Sequence, residues 1–208
     1  MDVRLASEPH RHQNPQLLGG GDALTADAES RLLAVARARG PGIRDAVIVL
    51  LALKAGVDAR EQARLDVGHV RVADAPPWLV HVPGRRAVFA PGLPAGAVPI
   101  GPALRDELRT HVAHLRDRCH HAGGRFGTDA KRDGSVVCHV CRQLLDGDRV
   151  PLLLSRRGDR LSERQLHKLF GVMRGRAGLP AGATFGTLVK TYDLKLRELL
   201  ATAVLTHG

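Results

Sequence analysis

The stretch IRDAVIVLLALKAGVD, Ile43 to Asp58, decides how the rest of the chain is read. Val47, Ile48, Leu50, Leu51 and Leu53 fall around most of a helical circumference, not along one stripe. A helix of that kind has no face left for water, so it is expected at the centre of the fold. Gly56 ends it, because glycine enters the left-handed conformation that closes helices without steric cost. A short helix from Ala59 to Leu65 is expected to follow.

Working outward, Thr25 suits the cap of a helix with apolar positions Ala28, Leu32, Val35 and Ala36. Gly40, Pro41 and Gly42 separate it from the central helix. Downstream, Val70 to Val72, Trp78 to Val82, Ala87 to Ala90 and Val98 to Ile100 read as short strands joined by Pro and Gly turns. Pro102 suits the start of a helix, along which Leu104, Leu108, Val112, Leu115 and Cys119 share one face. The pattern resumes at Val150 to Leu154. Ser162 then caps a helix from Glu163 to about Ala177, whose stripe is Leu166, Leu169, Phe170 and Met173. A last helix uses Phe185, Leu188, Val189, Tyr192, Leu196, Leu199 and Leu200. The expected fold class is mainly α with a small antiparallel β-sheet (α+β). Met1 to Ala23 reads as a flexible N-terminal arm, and residues 24–208 as one domain with an insert at 120–146.

Composition narrows the functional classes. Of 208 residues, 44% are hydrophobic but only 3% aromatic, so Leu, Val, Ile and Ala must build the core. No apolar run approaches the ~20 residues of a membrane span. The first residues lack the apolar stretch of a secretory leader. A cytoplasmic location with no membrane partner is therefore expected. Thirty-one Lys and Arg face 21 Asp and Glu, a formal charge of +10 that favours a polyanionic partner.

The insert holds most of the sulfur chemistry. An odd set of three cysteines, Cys119, Cys138 and Cys141, argues against a disulfide scaffold. Cys138 and Cys141 have zinc-knuckle spacing. With Cys119 and either His120 or His121 they supply a Cys₃His set for a structural Zn²⁺, which would staple a loop poor in core residues. Two other readings stand beside it. Cys119 continues the apolar face of its helix, and a lone Cys-x-x-Cys also serves as a redox pair.

Four stretches, in order, carry a resemblance: Leu24-Thr25-Ala26-Asp27 with Leu32-Leu33; Val49 through Asp58; Pro151-Leu152-Leu153-Leu154-Ser155 with Leu161-Ser162; and Thr184-Phe185-Gly186-Thr187-Leu188. Over about Leu24 to Leu200 the chain resembles the catalytic domain of tyrosine recombinases (phage integrases). That family grips a scissile phosphate with arginines, a lysine and histidines, and attacks it with a tyrosine. The resemblance puts Asp58 where its first arginine belongs. Arg85 or Arg86 falls loosely where its lysine belongs. Its His-x-x-Arg box falls on Leu179 and Gly182, the next histidine on Ala183, and the later Gly-His pair on Ala201 and Thr202. Tyr192, the one tyrosine, lies too early for the nucleophile, and the chain ends about where that segment would begin. The family's N-terminal helical domain has no counterpart in the sequence.

The resemblance thus implies a non-catalytic DNA-binding or regulatory protein. Double-stranded DNA is its expected partner, and an active recombinase or a second copy is a further one. Arg85, Arg86, Arg156, Arg157, Arg160 and Lys168 are the candidate phosphate contacts, because guanidinium forks suit phosphates. Cys119, His121, Cys138 and Cys141 are the candidate metal ligands. A structural or protein-interaction module that keeps the core but has left DNA is the alternative. An active site-specific recombinase with displaced catalytic residues is the third reading.

Overall fold

The computed structural model of the chain describes residues 23–39, 43–86, 92–117, 126–129, 135–138, 150–155 and 159–207. The central helix expected from the sequence is α2 (Arg44–Ala55), buried at every position but its first residue and Lys54. Around it pack α1 (Ala26–Ala38), α3 (Ala59–Gln62), α4 (Pro102–Asp117), α5 (Glu163–Arg176) and α6 (Phe185–His207). Val47, Ile48, Val49 and Leu51 are fully enclosed. Each such side chain contributes roughly 1.5–3 kcal/mol through burial.

The helix ends follow the capping residues. Thr25 accepts the Ala28 N–H at the start of α1, and Asp58 forms a reciprocal capping box with Glu61 at α3. Ser162 and Gln165 form a second box at α5, so each of these helices has its N-cap and third-residue N–H groups satisfied. Gly56 closes α2 at φ 59°, as its place in the sequence requires.

The sheet has three antiparallel strands in the order β1 (Val70–Arg71), β2 (Leu79–His81), β3 (Ala97–Pro99). Val80 stands opposite both Val70 and Val98. The strand expected over Ala87 to Ala90 lies outside the described residues. Val150 to Leu154 forms ladder bridges, not a full strand: Asp66 pairs with Pro151 and Leu154 with Arg160. Pro151 has no N–H to give, which limits the ladder there. Buried Leu152, Leu153 and Leu154 still anchor the segment in the core. In the insert, β4 (Phe126–Asp129) and β5 (Ser135–Cys138) make a separate antiparallel pair, with Cys138 opposite Phe126. Among the described residues no helix is long and apolar enough to cross a membrane.

Several polar groups inside the core are paired across elements. Asp45, in the first turn of α2, is 2% exposed. It accepts from Arg39 Nε at 3.0 Å and from Arg44 Nη2 at 2.7 Å, while Arg44 Nη1 donates to the Leu154 carbonyl at 2.8 Å. This joins the end of α1, the start of α2 and the late segment. His111 of α4, also buried, lies 2.8 Å from the Leu152 carbonyl through Nε2. Removing the Asp45 carboxylate strands two arginines. Asp45→Ala is expected to cost about 3 kcal/mol or more in urea denaturation. Asp27→Ala, which breaks only an exposed pair with Arg31, should cost less than about 1 kcal/mol.

Candidate nucleic-acid interface

Two of the positions that the resemblance singles out, Asp58 and Arg85, meet at the end of α2. Gly56 gives the chain its left-handed exit, and the Tyr192 ring of α6 lies directly against it. A Cβ at position 56 would sit 2.5 Å from Tyr192 Cδ1. Tyr192 is half-buried, and that burial raises its pKa above the ordinary phenol value. The charge of Arg85 works against the rise, and that of Asp193 adds to it. A phenol held in this state is less ready to ionise than one in water.

Asp58 turns α3 away from Gly56. Its carboxylate accepts the Glu61 N–H at 2.8 Å, and Glu61 accepts the Asp58 N–H at 2.9 Å. Glu61 also takes Arg85. Arg85 Nε donates to Glu61 Oε1 at 2.8 Å, its Nη2 donates to the other carboxylate oxygen, and Nη2 also reaches the Gly56 carbonyl at 2.8 Å. Arg85 is thus committed to the α2–α3 junction. Its neighbour Arg86 is exposed.

Where the resemblance expects the His-x-x-Arg box, the chain builds packing instead. Leu179 and Ala183 are buried, and Gly182 is exposed. Arg174 of α5 reaches over this loop and donates to the carbonyls of Ala181 and Ala183 at 2.5 and 3.2 Å. Ala201 and Thr202 lie on the exposed part of α6.

Of the other candidate phosphate contacts, Arg156 and Arg157 lie outside the described residues. Arg160 pairs with the Asp66 carboxylate and donates to the Ala63 and Leu65 carbonyls at 3.2 and 3.1 Å. It therefore ties the turn before α5 to the exit of α3. Lys168 is exposed on α5 and makes no ion pair among the described residues. Arg164 precedes it by one helical turn in the same condition. On α3 and the turn after it, Arg60 and Arg64 are exposed likewise. Since α3 packs on α5, two neighbouring elements each turn a basic pair to solvent at i, i+4. Arg64 carries no sequence motif, and its i, i+4 relation to Arg60 was the signal available. Of the candidate zinc ligands, Cys119, His121 and Cys141 lie outside the described residues, as does His120, and only the backbone of Cys138 is placed. Among the described residues no group of His, Cys, Asp and Glu could hold a metal ion.

A histidine stands beside the Arg160–Asp66 pair. His69 Nδ1 accepts the Asp66 N–H at 2.9 Å, which requires that nitrogen to be unprotonated. Burial lowers the His69 pKa below 6.5; Asp66 opposes this, while His81 and Arg160 reinforce it. A folded-state pKa below the unfolded one means that the unfolded chain binds the proton more readily. Stability is then complete above about pH 6.5 and falls as pH drops through the folded pKa. Melting curves between pH 7.5 and 5 should show this loss, and His69→Gln should flatten it.

No family model matches the chain, and no curated protein matches it in sequence. Among solved structures it is similar to the XerA recombinase, with a TM-score of 0.58 and 16% identity, over 84% of this chain and 48% of that one. The chain spans about half the length of that recombinase. At this identity the likeness is one of fold: a mostly helical core with a small antiparallel sheet, resembling a tyrosine-recombinase catalytic domain.

Proposed function

We propose that this chain is a non-catalytic, DNA-binding or regulatory relative of the tyrosine recombinases. The carrying observation is a set of exposed basic side chains that make no ion pair among the described residues: Arg60 on α3, Arg64 on the turn after it, and Arg164 and Lys168 on α5, which packs on α3. With Arg86, and with Arg156 and Arg157 beyond the described residues, they would contact phosphates of a duplex. Such contacts position a protein on DNA without reading its sequence. An active recombinase or a second copy would be the partner in regulation.

Two features support the loss of cleavage. Asp58 presents a carboxylate where the resemblance requires a phosphate-binding cation, which would repel the substrate. Tyr192 is packed on Gly56, with a raised pKa. Losing a single transition-state contact commonly costs ~10² or more in rate.

The alternative, a module that has left DNA, draws on Arg85 and Arg160, both already paired with carboxylates. Salt titration separates the two. For wild type, log affinity for duplex DNA should fall steeply with log salt. Replacing Arg60, Arg64, Arg164 and Lys168 by Gln should flatten the slope by about 3.6. Equal slopes would favour the alternative. The same duplexes with a trapping nick should yield no covalent adduct, and an adduct would restore the enzyme reading.

We also infer a structural zinc on Cys119, Cys138, Cys141 and either His120 or His121. Three thiolates and one imidazole suit tetrahedral Zn²⁺, and β4 and β5 bring a short hairpin to the insert. Metal analysis should find about one zinc per chain, lost on Cys138→Ser with Cys141→Ser. Zinc-free wild type, purified without chelator, would sink this assignment.

A further inference from the structure

We propose that Glu61 is a built-in charge mask: it neutralises Arg85 and so holds down the affinity of this chain for duplex DNA. The inference rests on the DNA-binding reading above and concerns how strongly that surface can act.

The ion pair is well placed to be a mask. Arg85 and Glu61 side chains are 15% and 22% exposed, so neither is fully hidden and neither is fully solvated. The guanidinium meets both carboxylate oxygens and the Gly56 carbonyl. Glu61 is itself held by the Asp58 N–H, which fixes its carboxylate at the start of α3. A phosphate approaching Arg85 must compete with a preorganised bidentate partner of the same charge sign and similar geometry. Asp58 adds a second carboxylate on the same turn, and Asp193 a third from α6, near enough to act on Tyr192. Arg60 and Arg86 are the exposed cations of this corner. Removing the Glu61 charge adds one net positive charge there, whether or not the Arg85 side chain moves.

Glu61→Gln isolates the effect. A Gln at the third helical position still accepts the Asp58 N–H, so the capping box survives while the charge is lost. Binding to a mixed-sequence duplex is measured from 50 to 200 mM salt, with melting curves as the folding control. E61Q should bind about three- to tenfold more tightly at low salt, and its log–log salt slope should steepen by about 1. Adding Arg85→Gln should return both quantities to wild-type values. Glu61→Ala is the second variant should E61Q fold poorly, because the Asp58 side chain still caps α3.

Unchanged affinity and slope in a folded E61Q overturn the mask. So does a gain that persists in the double variant, since it would not come from Arg85. A wild type that does not bind DNA overturns the functional reading alone. The mask is then decided by whether E61Q acquires Arg85-dependent binding.

Discussion

α2 has no solvent side, and the other helices are arranged to satisfy that constraint. An apolar helix enclosed all round must have its ends and its few polar neighbours provided for, because unpaired groups inside a core are costly. At the N-terminal end, Asp45 draws in Arg39 and Arg44. At the C-terminal end, Gly56 and Val57 return their N–H groups to the Leu51 carbonyl. Gln62, fully buried on α3, donates to the Ile48 and Val57 carbonyls. The turn leaving α2 is therefore fixed by three hydrogen bonds before any functional side chain is placed on it.

That fixed turn would let side chains vary at the positions the resemblance singles out without loss of the fold. The backbone needs glycine at position 56 and a capping residue at position 58. Asp58 meets the second need with a carboxylate. Leu179 and Ala183 contribute core volume where a cationic box would need an open, polar loop, and Arg174 supplies the hydrogen bonds that hold that loop. On the proposed reading, the architecture and the charge pattern around it would be separable. Packing of α2 secures the first, and side chains around its exit set the second.

Sequence reading reached the helices well because each carries a long periodic stripe and a local cap. α1, α2 and α5 begin and end within a residue or two of the capping residues and apolar positions that announce them, whereas α6 starts at Phe185 as expected but runs on to His207, beyond the last expected apolar position, Leu200. The sheet was less legible. Its strands are two or three residues long, too short for alternation to fix their bounds. The ion pairs of the site escaped for a different reason. Glu61 and Arg85 are 24 residues apart, and Asp66 and Arg160 are 94 apart, so no local pattern links them. Half of the first pair was nevertheless visible, since Asp58-x-x-Glu61 is a capping-box signature. Charge, together with the resemblance, nominated Arg85 and Arg160 as phosphate contacts. It could not show that each is engaged by a carboxylate, whereas Lys168 stays exposed.

Glu29 carries a consequence for how the sequence can drift. It is 6% exposed on α1, and two lysines reach it, Lys54 from α2 and Lys195 from α6. The arrangement is lopsided. Either lysine can be exchanged while the other still compensates the buried acid. Exchange of the acid leaves two cations facing each other at a junction of three helices. Neutral variation should therefore be tolerated at positions 54 and 195 and excluded at 29, although all three residues belong to one ionic cluster.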